Sequence, residues 1–105
     1  MKSIVTNQSD MCVICGDYAT AEHHLIFGTY GRSFSEKHGL KVPICDKCHN
    51  MANHKCDRIH DNPMAERLSK MLGQAFYECD MISKGMSHYD ARAEFIREYG
   101  SSFIL

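Results

Sequence analysis

The run Cys45-Asp46-Lys47-Cys48-His49-Asn50 decides how this chain is read, because it puts a C-x-x-C knuckle and a histidine at the opening of a helix. Alone, such a pair is a redox couple or two buried thiols as readily as a metal site. Cys12-Val13-Ile14-Cys15 supplies a second knuckle upstream. Two knuckles in one short chain offer four thiolates to a tetrahedral zinc ion. Cys12, Cys15, Cys45 and Cys48 are therefore the candidate ligands of a structural zinc. Their separation is wider than the commonest zinc-finger spacing, so a two-stranded insertion must loop out between them and return.

Working outward, residues 21–27 carry the apolar run Leu25-Ile26-Phe27 and read as a strand. Gly28, Gly31 and Gly39 punctuate the next segment as a loop bearing Arg32, Lys37 and His38. Residues 40–44 read as a second short strand, with Pro43 confining it to an edge or an end. Downstream, Asn62-Pro63 has the form of a helix start, an N-cap followed by proline at the first helical position. Met64, Leu68, Met71, Leu72, Ala75, Phe76, Cys79 and Ile82 then recur at helical spacing, predicting a long amphipathic helix that ends near Gly85, its stripe turned to the core and Cys79 a core thiol. Ser87 with Asp90 opens a last helix, which Gly100 stops, and Phe103-Ile104-Leu105 are expected to pack back onto it. The fold class is α+β: a flexible lead at 1–10, then one domain at 11–105, made of a zinc-stapled core at 11–62 and a helical extension at 63–105. Cys56 falls in a loop and has no assigned role.

A chain of 105 residues suits one domain. Its first sixty residues are poor in large aliphatic side chains, so a metal staple has to supplement a modest core. The formal charge is −1 with seven histidines neutral, which does not by itself mark a nucleic-acid binder. No apolar run has the length of a signal peptide's core or a membrane span. A cytoplasmic protein without membrane contact is expected, and in that reducing setting six cysteines favour metal ligation over disulfides.

Glu22-His23-His24-Leu25 carries the second constellation. Adjacent histidines on a regular strand point to opposite faces, so they serve different purposes. One imidazole can bind a metal while the other takes a proton from water. The plainer alternative is one surface ring and one satisfied buried ring. His49 tips the balance, since a zinc-fixed helix brings it toward the pair.

C-x-x-C, then His-His on a strand, then C-x-x-C-His opening a helix resembles the HNH endonuclease, or ββα-metal, superfamily. The chain is similar in particular to short phage- and prophage-encoded HNH proteins and to RecA-dependent recombination-enhancement nucleases, through His23-His24-Leu25-Ile26-Phe27-Gly28, Arg32, Ser35-Glu36, Gly39-Leu40, His49-Asn50-Met51, Ile59-His60 and Glu98-Tyr99-Gly100. The resemblance implies a ββα-metal core and a metal-dependent endonuclease acting on DNA, with His24 as general base, held in one tautomer by a backbone carbonyl. His23 and His49 become ligands of a catalytic divalent cation, which could be magnesium, manganese, nickel or zinc. His60, Asn53 and His54 are candidates for the third ligand, and the resemblance favours His60. No asparagine lies between His24 and Pro43, where the family's middle residue braces the loop, so His38 or Asn50 is the candidate substitute.

Arg32, Lys37 and Lys41, on or beside the inter-strand loop, are the candidate phosphate contacts. The expected partners are DNA and, in addition, a recombinase or phage machinery, with the chain a monomer or homodimer. The rival reading is a non-catalytic zinc-binding adaptor of a phage or prophage that binds nucleic acid or protein.

Overall fold

The computed structural model describes residues 1–104, so Leu105 lies outside the described residues. The chain runs β1 (Ala21–His24), α1 (Gly31–His38), β2 (Lys41–Ile44), a π-type turn (Lys47–Met51), a 3-10 turn (Lys55–Asp57), α2 (Pro63–Ser83) and α3 (His88–Tyr99). This is a mixed α+β architecture in which a two-stranded antiparallel sheet is followed by two C-terminal helices. Among the described residues, no helix is long and apolar enough to cross a membrane.

The sheet register pairs Ala21 with Ile44, Glu22 with Pro43, His23 with Val42 and His24 with Lys41. Directly opposed residues share a face. His23, Val42 and Ile44 therefore look one way, all buried, while Glu22, His24 and Lys41 look the other. The strand predicted over 21–27 is shorter than expected, although Leu25 N–H still bonds to the Leu40 carbonyl at 2.9 Å beyond the last ladder pair.

The segment read as a glycine-rich loop is largely helical. Gly39 closes α1 in the left-handed conformation, φ 71°, its N–H reaching the Glu36 and Ser35 carbonyls. Added side-chain bulk there would run into the Lys2 carbonyl. Ser35 is fully buried: its hydroxyl donates to the Ile26 carbonyl at 2.6 Å and accepts from Ile26 N–H at 3.1 Å, stitching α1 to the exit of β1. A helix with no side-chain N-cap and no acidic residue in its first turn sends little local signal.

Residues 1–10 are likewise not a detached lead. Ile4 N–H bonds to the Gly39 carbonyl at 2.9 Å, Ser3 Oγ donates to the Lys41 carbonyl at 2.6 Å, and Ile4 and Val5 pack on the main core. That core joins Leu25, Ile26, Leu40, Val42, Tyr77 and Phe95, so both halves of the chain contribute to it. A smaller cluster of Cys12, Ile44 and Cys45 underlies the knuckles, with Ile59 and Cys48 against it.

The start of α2 is as predicted, with Asn62 Oδ1 accepting from Ala65 N–H and Pro63 next. Its orientation is not. The buried positions are Ser69, Gly73, Gln74 and Tyr77, on the side opposite the apolar stripe, whose Met64, Leu68 and Leu72 are 75%, 56% and 45% exposed. Cys79 is exposed too, so it is not a core thiol. Gly73 is the reason this side faces inward: a Cβ there would sit 2.8 Å from Ile26 Cγ1, and only glycine lets the helix lie so close to Leu25-Ile26. Gln74 is fully buried yet satisfied, donating to Glu78 and Ser102 and accepting from Phe103 N–H at 2.7 Å. The α3 boundaries follow the sequence reading, with Ser87 capping Asp90 N–H and Gly100 left-handed at the end. Phe103 packs back on the core as expected.

Candidate metal centres and the paired histidines

The four knuckle cysteines converge. Their sulfurs lie within 4.8 Å of one another, Cys15 Sγ and Cys45 Sγ at 3.6 Å. Two sulfurs bound at about 2.3 Å to one tetrahedral zinc stand roughly 3.8 Å apart, so the spacing fits that ion. In the first knuckle Gly16, φ 83°, turns the chain so that its N–H meets the Cys12 carbonyl at 2.9 Å. Burial opposes ionisation of Cys12, but N–H groups of Cys15, Cys45 and Ile14 outweigh it and bring the thiol down to about 6. Burial and the neighbouring sulfurs push Cys48 up. Four thiols this close cannot all ionise without a cation among them, and all six cysteines are free of disulfides. The cluster could hold a structural metal ion such as zinc.

A second convergence lies next to the first. Ring nitrogens of His23, His49 and His60 fall within 4.8 Å of one another, and His49 Nε2 and His60 Nε2 are 3.1 Å apart. Nitrogens bound at about 2.0–2.1 Å to one tetrahedral ion would stand roughly 3.3 Å apart, so this donor set also fits a divalent cation. The knuckle turn places two of the three rings. His49 follows Cys48 directly, and the loop returning with His60 is held by Ile59 N–H on the Cys48 carbonyl at 2.8 Å and His60 N–H on the His49 carbonyl at 3.0 Å. Of the three residues considered for the third position, His60 joins the cluster, His54 is exposed and outside it, and Asn53 is exposed.

Hydrogen bonding fixes the tautomer of His23. The Ser69 hydroxyl gives its one proton to the Leu25 carbonyl at 2.7 Å. At 2.8 Å from His23 Nε2, Ser69 Oγ must then accept. His23 thus carries Nε2–H and keeps the Nδ1 lone pair free. Burial, reinforced by the charges of His60 and His49, pushes His23 down to about 3. Burial likewise lowers His49, with His60 adding to it. Both shifts favour the neutral ring, the state in which imidazole is a ligand.

His24 lines the same cavity as this cluster, a space of about 280 Å³ bounded by Glu22, His23, His24, Phe27, Arg32, His49 and His60. Its Nε2 meets Glu36 Oε2 at 2.9 Å, so the partner of the ring is a carboxylate and not the expected backbone carbonyl. Hydrogen bonds from His24 and Lys41 hold the Glu36 carboxyl down at about 2.

The three basic candidates separate. Arg32 is on the cavity wall. Lys37 is exposed on α1 and lines neither that cavity nor the adjoining one at His24, Arg32, Ser33 and Glu36. Lys41 is only 6% exposed and committed to Glu36 at 3.0 and 3.1 Å and Glu22 at 3.5 Å, so it is not a free phosphate contact. Neither proposed stand-in for the missing asparagine braces the loop. His38 bonds through Nδ1 to Tyr99 Oη at 2.8 Å, and Asn50 is exposed. Ser35 does the bracing between β1 and α1, and Arg58 does it for the His60 loop, donating to the carbonyls of His60 and Ala52, both at 3.0 Å, and to Asp61. Sequence reasoning missed Ser35, Arg58 and Ser69, because each acts through contacts that exist only after folding.

Comparison with family models, with curated proteins and with solved structures finds no match to this chain.

Proposed function

We propose that this chain is a metal-dependent endonuclease of the HNH type, hydrolysing DNA phosphodiester bonds. The observation that carries the reading is the shared cavity, with three imidazoles converging on one point and a fourth, His24, on the same wall. A purely structural zinc module needs the cysteines alone.

His23, His49 and His60 would hold the divalent cation, which supplies charge neutralisation at the phosphate and the departing 3′-oxygen. His24 takes a proton from the water that attacks phosphorus, the P–O3′ bond breaks, and the products carry 5′-phosphate and 3′-hydroxyl ends. Arg32, on the cavity wall, steadies the phosphate through its guanidinium fork. Phe27 forms the apolar side of the cavity, with Lys70 Nζ 4.8 Å from its ring centroid. The Cys12, Cys15, Cys45 and Cys48 site has no part in the chemistry and holds the turn that carries His49.

Purified protein incubated with supercoiled plasmid and magnesium, manganese, nickel or zinc tests the proposal, with His24→Ala as control. Metal-dependent relaxation that the variant loses is the expected result. Intact plasmid under every metal would turn the reading toward a zinc-binding adaptor.

A further inference from the structure

The partner of His24 is delivered by the fold with some care. The register sets His24 opposite Lys41, so both side chains rise from one face of the sheet. Ser35 pins α1 to the exit of β1, and the next residue along, Glu36, lands between the two. Its Oε2 stands 2.9 Å from His24 Nε2, while Lys41 Nζ reaches both carboxylate oxygens, at 3.0 and 3.1 Å. The chain's N-terminal amine adds a weaker contact at 3.5 Å. Lys41 is buried and further tied to Glu22, so it acts as a fixed anchor for the carboxylate.

An ionised carboxylate can only accept hydrogen bonds. The 2.9 Å contact therefore requires the hydrogen on His24 Nε2, so that in the neutral ring the lone pair is on Nδ1. We propose that Glu36, clamped by Lys41, is the positioning residue of His24: it selects the Nε2–H tautomer, leaves Nδ1 as the proton acceptor, and stabilises the imidazolium once the proton has moved. This inference rests on the nuclease reading. The balance is simple. The attacking water gives its proton to Nδ1, the ring becomes a cation beside the Glu36 anion, and the proton then passes to solvent. A surface ion pair with no such role would leave both turnover and the ring's tautomer unchanged.

The test uses the 105-residue chain purified with zinc, wild type with Glu36→Ala and Glu36→Gln. Plasmid cleavage gives kcat and KM, and nitrogen-15 spectra of the histidine rings at mildly alkaline pH, where histidine is neutral, report the tautomer. Glu36→Ala is expected to lower kcat by about 10- to 100-fold, the usual effect of an outer-shell partner, with KM, zinc content and melting temperature near wild type. Its His24 signals should become those of a tautomer mixture. Glu36→Gln keeps an acceptor oxygen without the charge, so it should restore the tautomer and part of the rate. Unchanged kcat in an active protein, or a ring that stays Nε2–H in Glu36→Ala, overturns the proposal. A wild type that leaves the plasmid intact under every metal defeats the nuclease reading instead, and the nitrogen spectra still decide whether Glu36 sets the ring.

Discussion

His23 and His24 are neighbours in sequence and opposites in environment. One is 1% exposed and hydrogen-bonded to Ser69, the other is on the rim and bonded to Glu36. Alternation along a strand was enough to anticipate that they would differ, because period-two geometry is local. Their partners were not legible, since Ser69 comes from a helix 46 residues away and Glu36 from a segment with no clear helical signature. Two outcomes follow at this scale. His24→Ala should leave folding intact and lower cleavage by about 10²- to 10⁴-fold, the worth of a positioned base, read from plasmid relaxation rates. Ser69→Ala should leave the cysteine site loaded but weaken divalent-metal binding at the histidines by about 10- to 100-fold, as losing an orienting partner does, read by calorimetric titration. Unaltered affinity in Ser69→Ala would mean that the His23 tautomer is set by something else.

Helices α2 and α3 were legible from their ends, because caps are short-range chemistry: Asn62-Pro63 and Ser87 announce the starts, Gly100 a stop. The face of α2 was not. Periodicity reports which residues are apolar, and here Met64, Leu68 and Leu72 of the apolar stripe lie outward, Phe76 packs at the core's margin, and a glycine, a serine, a glutamine and a tyrosine face the core. Steric fit decided the matter, since Leu25-Ile26 fill the space a larger residue at position 73 would need. Gly73→Ala thus sets a helix-propensity gain of up to about 1 kcal/mol against overpacking of about 1–3 kcal/mol. The variant should be less stable by about 1–2 kcal/mol in urea denaturation, and a more stable variant would show that α2 is free to shift. In α1 the error ran the other way: glycines that read as loop punctuation flank a helix, and Ser35, polar in sequence, is among its most buried residues.

For the molecule as a whole, spacing foresaw which four sulfurs converge, because a C-x-x-C knuckle encodes its geometry in four residues. What composition could not foresee is how the two halves close on each other around Phe95, Tyr77, Tyr99 and His38. His38 is held below its ordinary value by burial, and it bonds to Tyr99 Oη at 2.8 Å. An unfolded histidine takes up a proton below about pH 6.5, whereas the folded ring resists until lower pH. The stability owed to neutral His38 is therefore complete above that value and drains away as the pH falls. Melting curves should show an acid-side loss that is shallower in His38→Gln, and parallel slopes in the two proteins would contradict the assignment. Cys45→Ser should lose zinc and its cooperative melting transition together, measured by metal analysis and calorimetry. The adjacency of Cys48 and His49, with Ile59 and His60 laced onto their carbonyls, has one more outcome. Loss of order at the sulfurs is thus expected to unseat His49 and His60 as well, since both rings hang from the same turn.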